Sequence, residues 1–244
     1  MNIAQIKFLL GADPKYIAER VLFTPFLPLQ LFKKEFTDIE KMFSGKSEYK
    51  GFTGMLNGER ITVIRTGMGT ANIGDILMWL GGHIKKAVFA GAVGALDQSY
   101  QIGDYFIPIE AIEGEGFSRY TRDNPEKIFM GSKHVQLDPN IIEKCQRYSV
   151  AKGKLFTIGG IVFEEDKMFL EFLKNQGVDA IDLETSAFYT AAQKGNIEAL
   201  AFHYVSDLPP HKLFYEKYSK EDQLKLNYAL EGFPKTVLDV LCAL

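Results

Sequence analysis

The sequence of 244 residues predicts a single α/β domain, residues 1–244, with a central mixed β-sheet surrounded by helices. Short apolar strands alternate with amphipathic helices, a pattern typical of a parallel or mixed sheet covered on both faces. The chain is 46% hydrophobic, which is enough to bury a sizeable core. We find no linker, internal repeat or low-complexity segment, so nothing in the sequence divides it.

The first half of the chain supplies five elements. The apolar run 3–10 predicts a strand that ends in a turn at "GADP", and the periodicity of 14–22 predicts a helix. Asn57-Gly58 between two alternating runs predicts a β-hairpin with a type I′ turn. Residues 70–84 read as a helix, and 85–96 as a buried strand that enters a glycine-rich turn.

The second half continues the alternation and ends in a long amphipathic helix, for which we expect a break near Gly232 and Pro234. The other predicted elements are strands at 103–116, 153–163, 178–183 and 199–207, and helices at 138–151, 165–176 and 184–195.

Charge and composition exclude several classes of protein. The net charge of -3, from 28 basic and 31 acidic residues, argues against binding to nucleic acid or to an anionic membrane. Cys145 and Cys242 have no metal-binding or redox spacing. No apolar run approaches the ~20 residues that span a bilayer, and the first residues lack a basic signal region. We expect a soluble, cytoplasmic protein without a metal.

The segment "VIRTGMGTAN" ends a strand at Arg65 and turns through Gly67, Met68 and Gly69 into a helix. Glycines let a ligand approach the backbone, and a helix N-terminus favours an anion. The alternative is a tight strand–helix turn with Thr70 as the N-cap. The third glycine of the dinucleotide-binding fingerprint is missing.

The segment "FAGAVGAL" repeats the arrangement with Gly91 and Gly94. The small apolar residues Ala92 and Val93 between them suit a ligand that packs flat against the chain. The alternative is that they let a helix sit close to the strand.

The segment "IEGEGFSRYTRD" ends a strand near Arg119 and Arg122. Two guanidinium groups could reach a phosphate or a ribose. The alternative is a solvated surface loop.

The segment "IDLETS" places Asp182 and Glu184 on one face of a strand and Leu183 on the other. Two acceptors on one face suit a vicinal diol such as a ribose. A helix-capping role near Thr185 is the alternative for either acid.

The segment "AFHYVSD" ends an apolar strand at Asp207. Apolar surroundings raise the pKa of a carboxyl, which suits a general acid. Capping of a turn is the alternative. We expect His203 to be a satisfied interior histidine.

Together these segments resemble the nucleoside phosphorylase superfamily, which includes purine nucleoside phosphorylases, uridine phosphorylases and nucleosidases. "LLGADPKYIAERV" is similar to its first "GDP" turn, "RTGMGTANIGD" to its "GMG" turn, and "FAGAVGALDQSYQIGDYFIP" to its "GSCGAL" segment. "IDLETSAFY" resembles "VEMEAAGIY", and "YVSDLP" resembles "VSD". The resemblance covers nearly the whole chain, and "AIEGEGFSRY" with "GMGTAN" lies nearest to short AMP nucleosidases.

The resemblance implies a nucleoside phosphorylase-like, partly barrel-like sheet and a role for each matching residue. Glu184 would bind the ribose 2′- and 3′-hydroxyls, with Asp182, Leu183 and Met68 around the sugar. Asp207 would protonate N7 of a purine or form a hydrogen bond to it. Phe163 would stack on the base. The same matches add Gly11, Arg65, Gly69, Thr70, Ala92, Val93, Gly94 and Arg119 to the expected substrate-binding residues.

Three parts of the phosphate site of the resembling phosphorylases are absent. Lys15, Phe89 and Ala92 stand where that site has an arginine, an arginine and a serine. A phosphate nucleophile needs a cationic clamp with several donors. The departure favours water as the nucleophile, although an anion site rebuilt from Arg65, Arg119 or Arg122 stays open.

We therefore predict cleavage of the N-glycosidic bond of a purine nucleoside or nucleotide, favouring hydrolysis. The alternatives are a phosphate-dependent phosphorylase, with inorganic phosphate as a co-substrate, and a non-catalytic nucleoside-binding or storage protein. No metal or organic cofactor is implied. The resemblance also implies a homo-oligomer, a dimer or hexamer, because sites in the family are often completed by a neighbouring subunit.

Overall fold

The computed structural model describes residues 3–209 and 211–244. Met1, Asn2 and Pro210, which the domain prediction includes, lie outside the described residues. In the described part of the chain, ten strands belong to one sheet: β1 Arg20–Thr24, β2 Asp38–Ser44, β3 Lys50–Leu56, β4 Glu59–Arg65, β5 Lys86–Ala95, β6 Tyr105–Glu113, β7 His134–Gln136, β8 Ala151–Thr157, β9 Ala180–Asp182 and β10 Glu198–Asp207. Its helices are α1 Ile3–Leu10, α2 Leu29–Lys33, α3 Thr70–Leu80, α4 Phe117–Tyr120, α5 Pro125–Met130, α6 Pro139–Lys144, α7 Lys167–Asn175, α8 Thr185–Lys194 and α9 Lys220–Ala243.

The sheet closes on itself over part of its width. Strands β10, β6, β8, β9 and β5 pair in that order, and a further pairing between β5 and β10 completes a ring of five. Beyond β5 the sheet continues as β1, β4, β3 and β2. Pairing is parallel between β1 and β5 and antiparallel between β5 and β9. The prediction of a mixed, partly barrel-like sheet with surrounding helices is confirmed.

The core contains the central strands and the helices that cover them. Phe23 in β1, Phe89 in β5 and Phe202 in β10 are fully buried, and Phe188 in α8 packs against Phe89 with ring centroids 5.4 Å apart. Complete burial of one such side chain contributes about 1.5–3 kcal/mol. The core therefore holds β5 and β10 rigidly side by side.

The hairpin prediction is confirmed. Leu56 pairs with Glu59 across a two-residue turn, and Asn57 and Gly58 have φ values of 51° and 82°. Type I′ turns require positive φ at both central residues, which asparagine and glycine tolerate best.

The predictions of a strand at 3–10 and of a helix at 14–22 are wrong. The run 3–10 forms helix α1, whose buried Ile6 and Leu10 lie one turn apart on a single face. The segment 14–22 is not a helix: a short 3-10 turn at Pro14–Tyr16 leads into β1. Short apolar runs do not distinguish a strand from a helix by periodicity, and here pairing with β4 and β5 decides.

Helix α9 has no break, contrary to the sequence prediction. It continues through Pro234 to Ala243. Phe233, Val237 and Leu241 are all fully buried, so packing holds the helix together although Pro234 donates no backbone hydrogen bond.

Two glycine turns also differ from expectation. Gly91 and Gly94 lie inside β5 and pair with His203 and Asp207 of β10, so no turn occurs there. The N-cap of α3 is Gly69, with φ of 100°, rather than Thr70.

Candidate active site

A cavity of about 390 Å3 lies where the ends of β5, β9 and β10 meet. Ala92, Val93 and Gly94 of β5 form one wall. The complete lining is Phe26, Met68, Ala92, Val93, Gly94, Ile161, Glu164, Ile181, Asp182, Leu183, Glu184, Tyr204, Ser206, Asp207, Phe214, Tyr218 and Leu226. Four carboxyl groups line it, and no Lys, Arg or His of the described residues does.

A larger hollow of about 860 Å3 lies between α6, α8 and the start of β10. In the described chain, four buried side-chain polar atoms lack a hydrogen-bond partner. Two of them, Glu164 Oε2 and Asp207 Oδ2, belong to residues that line the smaller cavity, and none belongs to the lining of the larger one. A buried polar atom without a partner that belongs to a cavity lining is available to hydrogen bond to a ligand. We therefore assign the site to the smaller cavity.

Asp207 ends β10 at an irregularity in its pairing with β5. It is 3% exposed, and Ser206 Oγ donates to its Oδ1 at 2.5 Å while Oδ2 has no partner. Burial raises the pKa of Asp207 to about 7, against the hydrogen bonds from Ser206 and the Phe214 backbone. A carboxyl with this pKa keeps its proton in about half of the molecules at neutral pH, and that fraction can act as an acid.

Glu184 lies in the short connection between β9 and α8 and is 5% exposed. Its Oε1 accepts a hydrogen bond from the Gly69 amide at 2.7 Å. This contact joins the "GMG" turn to the "IDLETS" segment, which the sequence separates by 115 positions. Burial, and then the neighbouring charge of Asp182, raise the pKa of Glu184.

Asp182, at the end of β9, has both oxygens engaged within the protein. Oδ1 accepts from Thr157 Oγ1 at 2.8 Å, and Oδ2 accepts from the Thr185 amide and hydroxyl at 2.8 and 2.5 Å. Burial raises the pKa of Asp182, whereas the hydrogen bonds from Thr185 and Thr157 oppose that rise. Because Asp182 has more internal donors than Glu184, we assign the negative charge of the pair to Asp182 and the proton to Glu184.

Beneath this pair, His203 is fully buried. Its Nε2 lies 2.9 Å from Thr185 Oγ1. Since the Thr185 hydroxyl donates to Asp182, His203 Nε2–H donates to Thr185. Burial lowers the pKa of His203 to about 3, so the ring is neutral. The prediction that His203 lies in the interior is confirmed, but the ring is not fully satisfied, because its Nδ1 has no hydrogen-bond partner among the described residues.

Eight of the fourteen predicted site residues line the cavity together: Met68, Ala92, Val93, Gly94, Asp182, Leu183, Glu184 and Asp207. Met68 is 57% exposed. Among the other six, Gly69 contacts the site through Glu184, and Thr70 follows it at the start of α3.

The other four residues lie outside the lining. Gly11 directly follows α1 and has a φ of 68°, and Arg65 ends β4. The Phe163 ring stacks on Tyr120 with centroids 4.1 Å apart. Arg119 donates to the backbone carbonyls of Glu113, Glu115 and Ile128, so its guanidinium is occupied by its own loop.

Sequence reasoning missed Glu164, which belongs to a short 3-10 turn at Ile161–Glu165. Glu164 is 8% exposed, and burial followed by the charge of Asp207 raises its pKa to about 8. The adjacent Glu165 is exposed. In the sequence Glu164 and Glu165 look equivalent, and it is the 3-10 conformation of this segment that points Glu164 into the protein.

No group of three or more His, Cys, Asp or Glu side chains that could hold a metal occurs among residues 3–209 and 211–244. Within the same described ranges, no helix is long and apolar enough to cross a membrane.

Comparison with known proteins identifies similarity in both sequence and structure. The model of the phosphorylase superfamily matches residues 21–226. The DeoD-type purine nucleoside phosphorylase of Geobacillus kaustophilus is 28% identical over 234 residues, covering 91% of this chain and 94% of that protein. The crystal structure of AMP nucleosidase from Bacteroides thetaiotaomicron is 25% identical with a TM-score of 0.66, over 93% of both chains. Uridine phosphorylase from Vibrio fischeri is 16% identical with a TM-score of 0.77, over 96% of this chain and 95% of that one.

Proposed function

Since this chain belongs to the phosphorylase superfamily, we propose that it cleaves the N-glycosidic bond of a purine nucleoside and that water is the nucleophile. The observation that carries the proposal is the buried Asp207, whose unpartnered Oδ2 belongs to the same cavity as Glu184. Relatives named as purine nucleoside phosphorylases and as an AMP nucleosidase support cleavage of a purine N-glycoside.

In the proposed reaction, Asp207 gives its proton to N7 of the purine. The bond between C1′ and N9 breaks, and its electron pair stays with the departing base. Positive charge develops on the sugar, where the negative charge of Asp182 stabilises it. Water then adds to C1′ and releases a proton to the solvent, and Asp207 takes a proton back from the solvent, which restores the acid.

Glu184 holds the sugar in this proposal. The Gly69 amide fixes Oε1, so the carboxyl keeps one orientation from which it can bond to the ribose hydroxyls. Asp182 is a positioning residue rather than a second diol ligand, because Thr157 and Thr185 already occupy its oxygens.

The preference for water over phosphate rests on the charges of the cavity. Its lining includes Glu164, Asp182, Glu184 and Asp207 and no basic side chain of the described residues. A phosphate ion beside these acids would need a cationic clamp that this wall lacks. The same argument favours a nucleoside over a nucleotide.

Base release from adenosine, inosine, guanosine, methylthioadenosine, AMP and uridine, measured with and without phosphate, tests the proposal. We expect release from purine nucleosides without phosphate. Strict dependence on phosphate would replace hydrolysis by phosphorolysis, the activity in the names of several relatives. Binding of nucleosides without any base release would indicate a binding protein.

A further inference from the structure

Glu164 has no part in the reaction described above, yet it is built into the cavity wall. The 3-10 turn at Ile161–Glu165 turns it inward, while Glu165 faces outward and accepts a hydrogen bond from the Tyr215 hydroxyl at 2.9 Å. Glu164 is nine-tenths buried, and its Oε2 has no partner in the described chain. A buried carboxyl oxygen without a partner is costly, unless a bound ligand provides one.

Glu164 and Asp207 both line the cavity. Each has one buried oxygen without a partner, and the charge of Asp207 contributes to raising the pKa of Glu164. The other titratable groups in the lining are Asp182, Glu184, Tyr204 and Tyr218. Among these groups, only Asp207 contributes charge to the perturbation of Glu164. The two open hydrogen-bonding positions therefore belong to residues that line the same cavity.

We propose that Glu164 determines which base the site accepts, by hydrogen bonding to the group beside the base atom that Asp207 protonates. The inference rests on the proposed function, in which Asp207 faces N7 of a purine. The group beside N7 is then the substituent at C6, which is an amino group in adenine and an oxo group in hypoxanthine.

The chemistry of a carboxyl makes this selection dependent on pH. A protonated carboxyl donates to a 6-oxo group, whereas a carboxylate only accepts and suits a 6-amino group. The pKa of Glu164 is about 8, so the proton is present at neutral pH and absent at higher pH. Affinity for 6-oxopurines should fall as the pH rises, because O6 would then face a carboxylate without a proton between them.

The test is isothermal titration calorimetry with free adenine and free hypoxanthine, which need no catalysis. Wild type, Glu164→Gln and the outward-facing control Glu165→Gln are compared at about pH 6.5 and about pH 8.5, on either side of the relevant ionisation. We expect the adenine-to-hypoxanthine affinity ratio of wild type to rise by at least about fivefold between the two pH values. E165Q should behave like wild type, and E164Q should show no such rise.

E164Q also distinguishes ionisation of Glu164 from ionisation of the other groups in the complex. Ionisation of the ligands themselves, and of Asp207, would change the ratio in E164Q as much as in wild type. A rise that persists in E164Q, or a ratio in wild type that does not change with pH, overturns the assignment. If E164Q does not fold, Glu164→Asp withdraws the carboxyl by one methylene and should likewise abolish the change.

Failure of this inference and failure of the proposed function give different results. If no nucleoside releases its base but the affinity ratio changes as expected, the hydrolase proposal fails and Glu164 keeps its role. If purine nucleosides are cleaved and the ratio stays constant, the function holds and Glu164 loses its role.

Discussion

Replacing Asp207 by asparagine should have two effects: it should lower the activity, and it should stabilise the folded protein near neutral pH. The 3% exposed carboxyl has a pKa of about 7 instead of 3.8, because burial disfavours its charged form. Asparagine keeps the shape but has no acidic proton. Loss of a general acid typically costs ~10²–10⁴-fold in rate, so we expect a decrease of that size in base release.

The stability effect follows from the same ionisation. Well below pH 3.8 the carboxyl is protonated in both the folded and the unfolded state, and no penalty exists. As the pH rises to about 7, the unfolded state ionises freely while the folded state resists ionisation. The interval from 3.8 to about 7 corresponds to about 4 kcal/mol, at about 1.4 kcal/mol per pH unit. The advantage of D207N over wild type in free energy of unfolding should grow by about that amount over this range.

Two assays check the prediction on the same samples. Chromatography of the released base from inosine measures activity against pH, and urea denaturation measures the free energy of unfolding. Wild-type activity should decline as the pH rises through about 7. Asp239→Asn, on the exposed face of α9 beside Lys235, is the control and should match wild type in both assays. Full activity in D207N would refute the role of Asp207 as an acid. A difference in free energy of unfolding between D207N and wild type that does not change with pH would refute the claim that burial disfavours the charged form of Asp207.

Four further variants test other contacts. Glu184→Gln should lower kcat/KM for a riboside by about 100-fold. The same variant should change kcat/KM for a 2′,3′-dideoxy nucleoside only slightly, because that substrate lacks the diol. Equal losses for both substrates would contradict a role of Glu184 at the diol. Gly69→Ala should destabilise the chain by about 1–2 kcal/mol, because φ is 100° there. It should also raise KM, because the amide at this position orients Glu184. An unchanged KM would show that the Gly69 amide does not position Glu184. Thr157→Val should lower the free energy of unfolding by about 1–3 kcal/mol, since Asp182 loses a buried donor, and an unchanged urea midpoint would count against this network. Phe163→Leu tests the predicted stacking on the base: its position against Tyr120 leads us to expect a KM within about twofold of wild type, and a large rise in KM would restore the stacking role.

The alternation of apolar strands with amphipathic helices was sufficient to predict the fold class. Local chemistry was equally sufficient for the hairpin at Asn57-Gly58, because positive φ at two successive residues is a local requirement. The acids Asp182, Glu184 and Asp207 were also identified in the sequence, since carboxyls at the ends of apolar strands are unusual.

Tertiary structure decided the features that depend on distant partners. The runs at 3–10 and 20–24 are both short and apolar, and only pairing with β4 and β5 made the second a strand while the first stayed a helix. Likewise, packing of Phe233 and Val237 kept α9 continuous through a proline that sequence alone marks as a break.

The same division holds for the site. The sequence places Asp182 and Glu184 side by side and treats them alike, but Thr157 from β8 and Gly69 from the turn before α3 give them different partners. It likewise treats Glu164 and Glu165 alike. Which carboxyl is buried, which is already hydrogen bonded and which has an oxygen left for a ligand depends on residues far away in the chain. Side chains that are able to take part in catalysis or binding can therefore be identified from the sequence. Their protonation and orientation, in contrast, follow from burial and from contacts that only folding creates.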